Sequence, residues 1–351
     1  MISMRTLACA FTFGCLASSA ALAQPLPVVQ FIATGGTIAM KIDPVKRAPV
    51  PAISGDDLLA TVPDVAKYAR IEVSNLSNVP SAYMDPPRWI QLTKAVQAAL
   101  AGSEVAGVII SHGTDTLEET AYWLDLTVQS DKPIVLIGAQ RNASAPDFDG
   151  PRNLLNAVRI AVDPGSAGKG ALLAMNNQIN AARDVTKTHT GNVETFQSGD
   201  FGLLGEVWPE RVVYSRAPQR RQHLPIVAET MPPVVIVASY GGADGAQLRH
   251  AVDQGVKGVV VQALGMGNVN VPMFEAVKYA LSKNVPVVIS TRVLNGRVLP
   301  NYGFEGGGKT LAEAGAVLAD DLRPHKARIL LMLALQKGVA DQKGLQAVFD
   351  R

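Results

Sequence analysis

Cysteine is almost absent from the 351 residues: there are two, Cys9 and Cys15, both within the first 23 positions. Those positions carry Arg5, an apolar stretch from Leu7 to Leu22 broken by Thr12, Ser18 and Ser19, and the small-residue triplet Ala21-Leu22-Ala23. This is the pattern of an export signal peptide, residues 1–23, cleaved before Gln24. The expectation is a periplasmic protein that keeps no cysteine after cleavage. A thiol nucleophile, a disulfide framework and a cysteinyl metal site are then all excluded. Excess charge is missing too. The net formal charge is +2 and no long block of one sign occurs, so neither a nucleic-acid surface nor an electrostatic hold on a membrane is expected. No later apolar run is long enough to cross a bilayer. The five histidines (His112, His189, His223, His250 and His325) are scattered without ligand spacing, so no metal centre is expected. A Gly-x-Ser-x-Gly elbow at a strand-to-helix junction is lacking as well. Nucleophilic chemistry is left to a hydroxyl, with Thr, Asp, Lys or Tyr assisting.

Apolar residues are plentiful, at 48%, and they come in a recurring order. Val28–Ala33 runs into Thr34-Gly35-Gly36-Thr37, Val105–Ile110 into Ser111-His112-Gly113, Pro133–Ile137 into Gly138-Ala139-Gln140, and Ala171–Met175 into Asn176-Asn177. Helical patterns cover 87–101, 117–130 and 153–162, and Thr116 with Glu119 reads as a capping box for the second. Strands alternating with helices predict a parallel sheet with crossover helices. Pro218, Pro225, Pro232 and Pro233 then punctuate the chain, and the basic stretch Arg216 to His223 falls among them. Beyond it the alternation restarts, with strands over 234–239, 258–263 and 285–290 and helices over 247–254, 272–283 and 324–336. The fold expected is α/β with two domains. A larger N-terminal domain (24–215) has a parallel or mixed sheet flanked by helices. A linker (216–233) leads to a smaller parallel α/β domain (234–351).

In open α/β sheets ligands bind at the carboxyl ends of strands, which singles out three strings. In Thr34-Gly35-Gly36-Thr37 two glycines allow a sharp turn and close approach to a ligand. The same string also serves as a plain strand-to-helix turn with threonine caps, and less well as a phosphate loop, whose spacing it lacks. Ser111-His112-Gly113-Thr114-Asp115-Thr116 ends a strand and opens a helix. Free N–H groups there suit a carboxylate, Asp115 suits an ammonium group, and Thr114 offers a hydroxyl or orients a water. Simple capping accounts for Asp115 and Thr116 but not for the whole string. His112 suggests a triad, although a structural, hydrogen-bonded histidine is the better reading. In Arg183-Asp184-Val185-Thr186-Lys187-Thr188, a lysine enclosed beside a polar site can act as a base, whereas most loop lysines are merely solvated.

The three strings in this order, with Asp149-Gly150-Pro151 and Gly267-Asn268, resemble the bacterial type II L-asparaginases, the asparaginase/glutaminase family. The resemblance runs from about Val28 to Phe349. It implies hydrolysis of the side-chain amide of L-asparagine to L-aspartate and ammonia through an acyl-enzyme, without a cofactor. It implies Thr37 as nucleophile and Thr114, Asp115 and Lys187 as a second, rigid catalytic cluster in which Lys187 eases deprotonation of Thr114. Ser81 would hold the substrate α-carboxylate and Asp115 the α-ammonium, while Gly36 and Ala139 line the pocket through main-chain groups. Ala82 falls at a substrate-side position where the family usually has glutamine. Asn268 would reach the site of a neighbouring subunit in a homotetramer, a dimer of dimers with shared active sites.

The sequence departs from the family at the lid. Ala48 falls where a tyrosine is usual, and no tyrosine occurs between Thr37 and Ala66. The stretch Leu294 to Asn301, where a neighbouring chain's glutamate is expected, holds no acid. Tyr83, Lys41 or another lid group is then the candidate replacement. The alternatives are a glutaminase-asparaginase, a D-amino-acid amidohydrolase, or an amino-acid-binding paralogue without turnover. Gly265-Met266-Gly267 also suggests a nucleotide site, but no third glycine or ribose-binding acid follows.

Overall fold

The computed structural model describes residues 25–351; the expected signal peptide lies outside the described residues. The N-terminal part runs β1 (Val28–Gly35), β2 (Met40–Asp43), β3 (Ala48–Pro51), α1 (Gly55–Ala60), β4 (Arg70–Val79), α2 (Pro86–Leu100), β5 (Val105–Ser111), α3 (Leu117–Thr127), β6 (Ile134–Ile137) and α4 (Gly150–Val162). It continues with β7 (Ala171–Met175), β8 (Gln178–Ala181), β9 (Thr186–Lys187), β10 (Phe196–Gln197), β11 (Gly205–Val207) and β12 (Val212–Tyr214). The C-terminal part holds β13 (Val234–Ala238), α5 (Ala246–Asp253), β14 (Gly258–Ala263), α6 (Val271–Ser282), β15 (Val287–Thr291), α7 (Gly308–Glu313), β16 (Val317–Leu318), α8 (Pro324–Gln336) and α9 (Gln342–Phe349).

Eight strands form the large sheet in the order β12-β11-β8-β7-β6-β5-β1-β4. Its half from β4 to β7 is parallel and the remainder antiparallel. The small sheet, β13-β14-β15-β16, is parallel throughout. The two-domain α/β architecture is thus the one expected. The parallel strands are apolar on both sides because both faces are covered. Ile32, Val108, Ile110, Leu136 and Leu173 point into one core with α2 and α3. Phe31, Ile109, Val135, Ile137 and Leu172 point into the other with α4, following the two-residue period of a strand. The first core does not stop at the domain boundary: Val260, Val288 and the run Ile329 to Ala334 of α8 belong to it. Among the described residues, no helix is long and apolar enough to cross a membrane.

Two local expectations need correction. Ala171–Met175 does not lead into a crossover helix. Asn176 and Asn177 both take left-handed conformations (φ 52° and 64°), the two-residue turn that sends β8 straight back antiparallel to β7. The Thr116 capping box is absent. The Thr116 hydroxyl donates instead to the Ser81 carbonyl at 2.8 Å, because the loop carrying Ser81 reaches the start of α3 first, and no side-chain cap forms. The stretch 216–233 has no helix or strand, yet its basic part is tied down. Arg216 pairs with Asp184 (3.4 Å), Arg220 with Asp320 and Asp321, and Arg221 with Asp125 (3.1 Å).

Candidate active site

The site forms where the carboxyl ends of β1 and β5 lie side by side. β1 finishes in Gly35 and Gly36 follows it, with φ of 106° and 84°, a region closed to side-chain-bearing residues without strain. A Cβ on Gly36 would stand 2.1 Å from the backbone N and Cα of Gly113, and one on Gly113 would stand 2.6 Å from the Ser81 Oγ. Glycine at both positions lets two loops meet backbone to backbone and the Ser81 side chain pack against them. Thr37 follows in a 3-10 turn, half-buried, and the fully buried Ile38 anchors that turn in the core. Thr34 faces the other way, its hydroxyl donating to the Ser111 carbonyl at 2.8 Å.

The loop that continues from Gly113 carries a hydrogen-bonded set. The Lys187 Nζ donates to the Thr114 Oγ1 at 2.9 Å and to the Asp115 Oδ1 at 3.0 Å. Lys187 is 17% exposed and Asp115 69%, so the carboxylate faces the open side. The Thr114 hydroxyl donates to the Gln140 Oε1 at 3.3 Å, and the Gln140 Nε2 donates to the Asn192 carbonyl at 3.1 Å. That second bond fixes the amide orientation, so an acceptor oxygen faces Thr114. Ser81 is buried, and its Oγ accepts the Asp115 N–H at 3.2 Å. Ala139 is buried just beyond β6, whose following loop is held by Asp149. The Asp149 carboxylate accepts the N–H groups of Gln140 (3.2 Å) and Arg141 (3.0 Å). Gly36 contributes closeness only, since its N–H goes to the Val79 carbonyl and its carbonyl to the Ala39 N–H. Ala82 is exposed beside Ser81. Asn268 is not brought to this cluster; it sits in the turn after β14, where its Oδ1 accepts the Gly308 N–H at 3.3 Å.

His112 is fully buried. Its Nδ1 lies 2.7 Å from the Gly113 carbonyl and its Nε2 3.0 Å from the Thr120 hydroxyl. The carbonyl can only accept, so Nδ1 carries the proton and Nε2 accepts from Thr120. Burial pushes its pKa down to about 4. The ring is a neutral strut, not a base. Sequence reasoning missed Glu118, which supports Lys187 from behind. One Glu118 oxygen accepts the Lys187 N–H at 3.1 Å, and the other meets the His325 Nε2 at 2.9 Å. Burial opposes its ionisation, but the hydrogen bond and charge of His325, the charge of Lys326 and the Lys187 N–H outweigh burial and hold the carboxyl at about 2. Its signal was a second acid in the first turn of a helix that needs only one.

Residues 28–220 match the family model described as asparaginase, N-terminal, and residues 233–349 match the glutaminase/asparaginase C-terminal domain. The chain belongs to the asparaginase/glutaminase family. Family membership makes it a hydrolase. It is 38% identical to the probable periplasmic L-asparaginase of Haemophilus influenzae, over 99% of each chain. It is 36% identical to L-asparaginase 2 of Escherichia coli, over 95% of each. The crystal structure of a probable cytoplasmic L-asparaginase from Campylobacter jejuni superposes with a TM-score of 0.85 at 36% identity, covering 93% of this chain and 99% of that one.

Proposed function

We propose that this family member hydrolyses the side-chain amide of L-asparagine to L-aspartate and ammonia, with Thr37 as nucleophile. The observation that carries the reading is the Gly36–Gly113 approach, which brings the loop leading into Thr37 against the loop that carries Thr114 and Asp115. The Ser81 hydroxyl and the first turn of α3 take the substrate α-carboxylate, and the Asp115 carboxylate takes the α-ammonium. Thr37 Oγ attacks the amide carbon. The N–H groups of Thr37 and Thr114, at the start of a 3-10 turn and just before a helix, are the donors helical geometry leaves free for the developing oxyanion. The Lys187–Thr114 pair passes the Thr37 proton to the amide nitrogen, the C–N bond breaks, and ammonia leaves an aspartyl ester that water then hydrolyses. Ammonia release measured across L-Asn, L-Gln and their D-isomers tests this. The highest kcat/KM on L-Asn is expected, and saturable binding without ammonia would leave only an amino-acid binder.

One observation favours a second reading, an altered substrate preference. The lid is a short antiparallel hairpin, β2 with β3, whose Ala48 position carries no hydroxyl. A ratio of kcat/KM above one for L-Gln or a D-amide over L-Asn would select it.

The proposal extends to assembly and location. Asn268 keeps its hydrogen bonds within its own domain, and the exposed Met266, Tyr302 and Phe304 lie along the same stretch of chain or beside it. This apolar surface supports a homotetramer in which Asn268 completes a neighbouring site. A monomeric mass by light scattering with full activity would defeat that. Export to the periplasm rests on the leader pattern. The secreted protein is expected to begin at Gln24, and an intact Met1 would refute cleavage.

A further inference from the structure

Lysine is rarely buried, yet Lys326 of α8 is 1% exposed. Its Nζ donates to the carbonyls of Ala182 at 2.8 Å, Arg183 at 3.0 Å and Val185, so its three protons are all committed. These carbonyls belong to the turn between β8 and β9 that delivers Lys187. A charge costs several kcal/mol to bury unless it is paired and fully hydrogen-bonded, and helix packing alone would be met by a methionine there. We propose that Lys326 is a positioning residue for Lys187: the C-terminal domain reaches across and sets, through this turn, where the Lys187 ammonium meets Thr114. The inference rests on the asparaginase reading above and adds to it a residue that never touches substrate.

The turn is held at both ends. Lys326 fixes three of its four carbonyls, and Glu118 fixes the Lys187 N–H just beyond it. The Glu118 carboxylate also stands 3.9 Å from the Lys326 Nζ, close enough to support its charge without being its hydrogen-bond partner. Other groups facing this ammonium are Glu119 and Tyr122 on α3, Arg183 and Asp184 in the turn, Arg323 just before its own helix and His325 on it. Burial brings the Lys326 pKa down to about 8 against the pull of Glu118 and Asp184. Above that pH a neutral amine has two protons for three carbonyls, and the turn loosens.

The experiment compares Lys326→Met, Glu118→Gln and Lys187→Met in the full chain, with ammonia release from L-asparagine and folding by circular dichroism. Folded Lys326→Met is expected to lose about 10²-fold in kcat, the scale of a catalytic group displaced by about 1 Å. Its KM should rise far less than kcat falls, because Ser81 sits on another element and Asp115, though bonded to Lys187, keeps its own backbone place before α3. Glu118→Gln keeps an acceptor for the Lys187 N–H but removes the charge, so the alkaline limb of the kcat profile should move to lower pH. That variant decides the matter if Lys326→Met fails to fold. A folded Lys326→Met within threefold of the parent kcat, or an unmoved alkaline limb in Glu118→Gln, overturns the proposal. An active Lys187→Met would sink the asparaginase reading itself, which is a separate outcome.

Discussion

Two loops face each other across the site, and they are built on opposite plans. The one from His112 to Glu118 commits its polar atoms: Thr114 and Asp115 to Lys187, Thr116 to Ser81, His112 to Thr120, Glu118 to His325 and the Lys187 N–H. The one from Thr37 to Pro51 is a half-exposed hairpin. It is fastened by the Met40 carbonyl to the Ala143 N–H at 2.8 Å and by the Ile42 N–H to the Ser144 Oγ at 3.0 Å. Preorganised dipoles aimed at a reacting bond need no rearrangement during reaction, whereas a lid must open, and segments that open are drawn from the weakly held end of a structure. The rigid side ties its charges to one another, Lys187 to Asp115 and Glu118 to His325, whereas the hairpin begins with the Thr37 hydroxyl and leaves Lys41, Lys46 and Arg47 exposed to solvent.

If that division holds, single changes should separate the two sides by size and by kind. The largest effect is expected from Thr37→Ala and Lys187→Ala. Each should lower kcat by roughly 10³-fold or more, since nucleophile and proton transfer act as one unit. Steady-state kinetics on L-asparagine checks this, and the division breaks if either variant keeps a tenth of the parent rate. Next comes Ser81→Ala, which removes a hydrogen bond to a charged group worth about 2 kcal/mol. KM should rise roughly tenfold or more while kcat changes little.

His112→Gln tests the strut. The folded pKa of His112 lies below its ordinary value of 6.5. The buried neutral ring therefore contributes stability that is complete above pH 6.5 and is lost as pH falls towards about 4. Linkage puts the loss at about 3 kcal/mol, read as a drop in unfolding free energy between pH 7 and pH 4. The glutamine variant should be less stable at neutral pH and lack that slope. The smallest effect is expected from Ser144→Ala. Losing one exposed hydrogen bond costs at most about 1 kcal/mol, so KM should move less than about fivefold while cleavage after Arg47 by trypsin quickens.

Much of this is legible in the sequence. The buried parallel strands announce themselves as runs of Val, Ile and Leu, and the glycine turns that end them mark where a ligand can come close. β4 was not legible. It is an edge strand whose Arg70, Ser74, Asn75 and Asn78 face solvent, so it lacks the apolar run that gives away its neighbours. The hairpin β2–β3 hid behind three prolines, Pro44, Pro49 and Pro51. They suit a turn and an unshared edge, and do not look like a strand. In the site, Thr37, Ser81, Thr114, Asp115 and Lys187 stood in strings that could be found. Gln140 and Lys326 could not, because each acts through a partner distant in the sequence, and Glu118 showed only as a second acid in the first turn of its helix. Lys326 left one trace: it shares a helix face with Leu330 and Leu333, an odd place for a charge.

The arginines between the domains carry a practical consequence. Arg220 grips Asp320 and Asp321, and Arg183 grips Asp321 at 2.8 Å in a contact that is almost wholly enclosed. A protease nick near Thr230 would therefore not release half an enzyme. The two pieces should travel together on a sizing column and melt in one step, because what joins them is the shared apolar interior and these ion pairs, not the peptide chain that runs between them.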